Sequence, residues 1–249
     1  MSLARQTFDF VTRYKHADPE AGLAQARKDG VTDLSLASLR DKGYAMTPKQ
    51  WQSRVLLLES IAGVPGMVAA TLRHLRSLRK LQRDGGWLHV LLQEAENERC
   101  AHKPLAVMQA ADAGPCRMHL MTFLKIAQPG LFMRFMIIAA QGVFYNLFFL
   151  AYLVHPAAAH RFVGCLEEEA CVTYTHILHE MEQGRLPEWN DIAVPNIAKD
   201  YWHMADDANM HDLIAAIRAD EAGHRCVHTG HPLLHWRLLT AARVAATAL

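Results

Sequence analysis

The chain has 249 residues, of which 51% are hydrophobic and 20% charged, and a formal charge of +1. That length allows a sizeable core, the apolar fraction excludes a disordered chain, and the near-neutral balance excludes an overall field for nucleic acid. Five cysteines (100, 116, 165, 171 and 226), an odd number without framework spacing, argue against a disulfide-stapled secreted domain.

Residues 1–14 read as neither a secretory signal nor an organellar transit peptide, and 1–46 form a polar N-terminal arm with short helical pieces. Thr47-Pro48 is a helix start, with Thr as N-cap and Pro at the first helical position. That helix is expected to run to about 82 and to bend at Gly63 and Pro65-Gly66. Its end carries the one basic cluster, Arg73-His74-Leu75-Arg76-Ser77-Leu78-Arg79-Lys80, read as a solvated helix end or a contact with anionic lipid head groups. Asp84-Gly85-Gly86 ends it, and a second helix begins at Trp87.

Helix resumes over 118–127, and Pro129-Gly130 breaks it. Residues 131–154 carry a single charge, Arg134, and approach the length of a bilayer span. The readings are a helix buried in protein or in one leaflet, or a true span. His155-Pro156 opens a helix to about 184, a short helix ends near Trp202, and a last strong one covers 209–227. No stretch has the period-two alternation of a strand, so the chain reads as all-α.

Four carboxylate-bearing segments lie on these helices: Glu59, Asn97-Glu98-Arg99, Glu167-Glu168-Glu169, and Asp220-Glu221-Ala222-Gly223-His224. Glu59 sits in an apolar run, where a lone carboxylate is costly to bury unless it is paired or metal-bound. Three consecutive glutamates cover most of a helix circumference, so at least one should point inward. Glu221 and His224, three residues apart, share a helix face. A Glu from each of two helices, with Glu-x-x-His from each of two others, is the ligand set of a di-iron carboxylate bundle of the ferritin-like kind. Each signal is weak alone, and a solvated charge explains any one of them. Three stations on three helices are much harder to obtain by accident.

The stretches Val55-Leu-Leu-Leu-Glu-Ser-Ile-Ala-Gly-Val-Pro-Gly-Met-Val, Gly85-Gly-Trp-Leu-His-Val-Leu-Leu-Gln-Glu-Ala-Glu-Asn-Glu-Arg, Leu166-Glu-Glu-Glu-Ala and Ile217-Arg-Ala-Asp-Glu-Ala-Gly-His resemble the alternative oxidases, with Thr7-Phe8-Asp9-Phe10 near the start. These are cyanide-insensitive, non-haem di-iron ubiquinol oxidases of the inner mitochondrial membrane. The resemblance implies two iron ions held by Glu59, Glu98, Glu167, Glu221, His224 and, from the second Glu-x-x-His, His119. It implies Tyr174 as a redox-active tyrosine, and Asn97 and Asp220 as hydrogen-bonding neighbours that orient ligands. Arg54, Leu58, Glu169, Ala170 and Thr173 match positions lining the quinol pocket. Ubiquinol, dioxygen and the lipid of one leaflet are the implied partners, with no nucleic acid. A homodimer on the matrix side of the inner membrane is the expected assembly. Residues 47–228 then form the oxidase bundle and 229–249 a C-terminal tail.

One departure stands inside the second motif. Asn97-Glu98-Arg99 is followed by 18 residues, 100–117, before Met118-His119-Leu120-Met121, and excising them restores Asn-Glu-Arg-Met-His-Leu-Met. A continuous helix would separate Glu98 from His119 by roughly 30 Å, and Pro104 and Gly114-Pro115 break it. Three readings stay open. The insert loops out and His119 rejoins Glu98; His102, four residues after Glu98, substitutes; or the site is disabled and the chain is an inactive membrane-associated helical protein. Cys100 and Cys116 bracket the insert and can in principle close it. The segment also fits a retained short intron, an idea that its presence in the dominant transcript would sink.

The end departs as well, with His228, His231 and His235 interrupted by Gly230 and Pro232. A frayed tail fits them better than a metal site. Cys165 and Cys171 are expected to be buried small hydrophobes.

Overall fold

The computed structural model describes residues 19–83, 88–89, 91–92 and 119–230, excepting the side chains of residue 19 and of 226–230. Asn97, Glu98, the insert with His102, the Cys100 and Cys116 thiols, the first arm residues and the tail beyond 230 lie outside the described residues. Among the described residues there are eight α-helices and no strand. In chain order they are α1 (Pro19–Lys28), α2 (Leu36–Asp41), α3 (Pro48–Lys80), α4 (His119–Ile126), α5 (Leu131–Val154), α6 (Pro156–Glu182), α7 (Asn196–Trp202) and α8 (Met210–Gly230), with a 3-10 turn at Pro187–Trp189. The all-α helical bundle expected from the sequence is the fold observed.

Helix starts follow local chemistry. Thr47 and Gln50 form a capping box, the Thr47 hydroxyl accepting from Gln50 N while Gln50 Oε1 accepts from Thr47 N at 2.8 Å. The His155 imidazole caps α6, its Nδ1 accepting from Ala158 N at 3.0 Å ahead of Pro156. Asn209 Oδ1 accepts from His211 N and Asp212 N at the head of α8. The expected bend in α3 does not interrupt it: helix continues through Gly63 and Pro65 to Lys80. Pro65 removes one helical N–H, but Val64 and Val68 beside it are buried in an apolar cluster with Leu91, Phe148, Ala159 and Val163. Packing on both sides outweighs that single lost bond.

Two clusters make the core. The larger joins Trp51, Val55 and Leu58 of α3, Leu120 and Phe123 of α4, Ala170, Tyr174 and Ile177 of α6, and Leu213, Ile214 and Ile217 of α8. Helix α8 lies along α6, while α3 packs on α5, α4 and α6. Four helices therefore converge where the carboxylates stand.

Helices α3 and α5 are both long and apolar enough to cross a membrane, yet they differ in setting. The apolar window of α3 is 72% buried, whereas that of α5 is 11% buried. The reading of α5 as buried in protein is thereby corrected. Phe148 and Tyr152 face the bundle, while Leu131, Phe132, Phe135, Ile138, Val143, Leu147, Leu150, Leu153 and Val154 are exposed. Cys165 and Cys171 also depart from expectation, being half-buried free thiols.

The short N-terminal helices are tied to the far end of α6 by charge. Arg40 donates to Glu188 at 2.5 and 3.1 Å and to the Arg185 carbonyl at 2.8 Å. Arg185 also holds Glu180 at 2.8 Å; burial pushes the Glu180 carboxyl up, outweighing the opposing pull of Arg185. The hydrogen bond from Arg40 holds the Glu188 carboxyl below its usual range. A depressed carboxyl stabilises the fold above its unfolded pKa and loses that contribution as pH falls through the folded one. Glu188→Gln should therefore cost at most about 1 kcal/mol at neutral pH, because the pair is half exposed. The Tm difference from the parent should shrink as the pH drops below about 4; a pH-independent difference would remove the ion pair as its cause.

Candidate metal centre

Helix periodicity brings the charged groups inward. Along α6 the buried positions include Val163, Glu167, Ala170, Thr173, Tyr174 and Ile177, the three-four spacing of one helix face. Glu167 is buried, Glu168 is exposed and Glu169 is half-buried. On α3, Arg54, Leu58 and Glu59 are buried within the apolar run that starts at Val55. On α8, Glu221 and His224 share the buried face, as their spacing requires.

The side chains meet in two overlapping groups. Glu59, His119 and Glu221 each offer a ligand atom within 4.8 Å of the others, and so do Glu167, Glu221 and His224. Glu221 belongs to both. His119 Nδ1 lies 3.4 Å from Glu59 Oε2 and 3.3 Å from Glu221 Oε1. His119 thus stands in the cluster although it follows the insert; Glu98, which the loop-out reading sets beside it, lies outside the described residues. The three carboxylates are at most 2% exposed. Burying three acidic groups so closely is costly unless cations compensate them, and hard carboxylates with imidazoles suit a divalent transition metal such as iron. The donor set fits two ions that share Glu221.

The opposite nitrogen of His119 is held from outside. Its Nε2 lies 3.2 Å from Asp220 Oδ2, which also accepts from Trp202 Nε1 at 2.9 Å. The Trp202 ring stacks on the His119 imidazole at 5.7 Å between centroids. Burial works to raise the Asp220 carboxyl, but the His119 contact, the Trp202 N–H and His224 together hold it below the usual range. A carboxylate on the far nitrogen fixes the tautomer that leaves Nδ1 able to coordinate. Trp202 went unrecognised in the sequence, where it marks only the end of a short helix. Nothing local signals that its N–H reaches a residue 18 positions away. Trp202→Phe keeps the stack and removes that donor, so metal affinity should fall about 10-fold or more. A competitive chelator titration measures it, and unchanged affinity would leave Trp202 only a packing role.

The Tyr174 hydroxyl donates to Glu59 Oε1. Tyr174 is fully buried and stacks on Phe123 of α4 at 6.3 Å. Next to it, Arg54 Nε donates to Thr173 Oγ1 at 3.3 Å, so α3 and α6 are joined beside the carboxylates. Leu58 and Ala170 are buried on the same two helices. Of the residues expected at the site, the structure brings Glu59, His119, Glu167, Glu221, His224, Asp220 and Tyr174 together.

Comparison with known proteins agrees with this geometry. The family model described as alternative oxidase matches residues 1–112 and 103–231. Its two matched segments overlap over residues 103–112, within the 100–117 insert. The mitochondrial alternative oxidase of Cryptococcus neoformans var. grubii is 52% identical over 225 residues, covering 90% of this chain and 50% of that protein. Those of Emericella nidulans and Yarrowia lipolytica are each 48% identical, over 227 and 222 residues, covering 91% and 89% of this chain and 54% and 53% of theirs. The chain thus spans about half the length of these curated relatives. A match running from residue 1 to 231, broken only at the insert, establishes that the chain belongs to the alternative oxidase family.

Proposed function

We propose that the chain is a quinol oxidase that transfers electrons from ubiquinol to dioxygen at a pair of iron ions, on one face of the mitochondrial inner membrane. The observation that carries this reading is the sharing of Glu221 between two buried ligand groups, beside a tyrosine bonded to Glu59. Glu59, His119, Glu167, Glu221 and His224 would hold the ions, with Glu98 completing the set.

When bound, the iron pair supplies sites for dioxygen and for electrons, so that two quinols give four electrons and four protons and one dioxygen becomes two waters. The remaining work falls to side chains. Arg54, buried and tied to Thr173, would orient the quinol head group together with Leu58 and Ala170 of the same two helices. Half-buried Glu169, one turn before Thr173 on α6, would take a quinol proton. The Tyr174 hydroxyl holds a proton against Glu59 and can pass it, with an electron, inward. The apolar packing of α3, α4, α6 and α8 excludes bulk water from these groups.

Helix α5 supports attachment to one leaflet. Its outward face is apolar apart from Asn146 and Arg134, which bond locally: Asn146 donates to Gly142 O at 2.8 Å, and Arg134, near the start, to Pro129 O at 3.0 Å. Seating that apolar face in one leaflet, with Arg134 at the helix start near the head groups, would attach the protein to the membrane.

Iron content and quinol-dependent oxygen uptake in cyanide, on this chain and on one lacking residues 100–117, test the whole. Both forms should bind two irons and turn over. Iron and uptake only in the shortened form would make this chain a disabled version of an active oxidase, and a hydroxylated quinone product would replace the oxidase reading with a hydroxylase.

A further inference from the structure

Helix α5 meets α3 through a stripe at helical spacing, Gln141, Phe144, Phe148 and Tyr152, in which Gln141 is the one amide. Its Nε2 donates to the Ser60 carbonyl at 2.7 Å. Ser60 is fully buried and directly follows Glu59, and its hydroxyl bonds back to the Leu56 carbonyl at 2.5 Å. A helical carbonyl has a second lone pair after serving its own helix, so the amide adds a bond and breaks none. The turn from Leu56 to Ser60 is thus pinned from within by the serine and from outside by Gln141, while Tyr174 fixes the Glu59 carboxylate itself. Apolar contacts on α5 slide without directional penalty, whereas this hydrogen bond has one geometry.

We propose that Gln141 is a positioning residue for Glu59: its amide sets the place of the α3 turn from which that carboxylate reaches the metal centre. Seating of the exposed helix α5 is thereby coupled to ligand geometry. This rests on the metal-centre reading above. The adjacent carbonyl is one residue from the ligand, and ligand constellations tolerate displacements of only about 0.5 Å.

The test uses the full chain loaded anaerobically with Co(II), whose visible absorption reports ligand geometry. Gln141→Met keeps the length and packing of the side chain and removes the donor. Phe148→Leu thins the same stripe two turns from Gln141 and serves as the packing control. The expected result is two Co(II) bound in each, with shifted bands and roughly 10-fold weaker binding in Gln141→Met. Phe148→Leu should lower Tm and keep the parent spectrum. A Gln141→Met spectrum and affinity superimposable on the parent would overturn the proposal. Should that variant not fold, Gln141→Asn, which shortens the reach by one methylene, makes the same comparison with the same outcomes. A parent chain that takes up no Co(II) would overturn the metal-centre reading and this inference with it, a result distinct from bound Co(II) with unchanged bands.

Discussion

Replacing Glu221 by alanine should abolish metal loading altogether, whereas Glu59→Ala should leave about one ion per chain. The difference follows from the geometry. Glu59 belongs to one ligand group, so its loss leaves Glu167, Glu221 and His224 together, while Glu221 belongs to both. Removing a shared ligand takes one donor of three from each group, and neither remainder keeps more than one carboxylate. Stability should report the same asymmetry. A metal present at 100 times its Kd stabilises the native state by about 2.7 kcal/mol per site, and that increment should vanish in Glu221→Ala and halve in Glu59→Ala. In the metal-free state the order should invert: Glu221→Ala removes one acidic group from a tight buried set, so the apo variant should melt no lower than the apo parent despite its new cavity. Metal-to-protein ratios after desalting, with paired melting curves, measure both effects. Two ions retained in Glu221→Ala would rule out the shared-ligand arrangement.

Much of this arrangement could be read from the chain, for identifiable reasons. Caps are local, so Thr47-Pro48, His155-Pro156 and Asn209 mark helix starts that the structure keeps. The Glu221-His224 spacing is local too, and one residue of a run of three glutamates had to face inward; it is Glu167. Long-range pairings were not readable. The bond from Gln141 to Ser60 spans 81 positions and that from Arg54 to Thr173 spans 119, and no periodicity encodes them. Periodicity also failed for α5, because a helix packed on one face by apolar side chains and exposing apolar side chains on the other has no polar stripe. Only burial distinguished it from α3, which has the same hydropathy and lies in the core. The continuity of α3 through Pro65 was legible, since the helix from Thr47-Pro48 was expected to run to about 82.

Tyr174→Phe should leave metal content unchanged and lower quinol-dependent oxygen uptake at least 100-fold. The side chain is fully buried between Phe123 and the carboxylates, so phenylalanine fills the same volume and the ring stack survives. What disappears is the hydroxyl that donates to Glu59. Leaving that buried oxygen without its donor costs about 1–3 kcal/mol, which should appear as a Tm decrease of a few degrees but not as unfolding. Glu59 still has His119 and Glu221 beside it to hold an ion, so loading persists. Turnover has no such substitute, because phenylalanine holds no proton to exchange and is far harder to oxidise than a phenol. If the hydroxyl serves only to position Glu59, metal affinity and turnover should fall together and Co(II) absorption should shift. If it carries a proton and an electron, turnover should fall alone, with the Co(II) spectrum and the quinol KM near the parent values. The second pattern is expected: the bond runs from the tyrosine to a carboxylate oxygen, so the phenol is the group that holds the mobile proton.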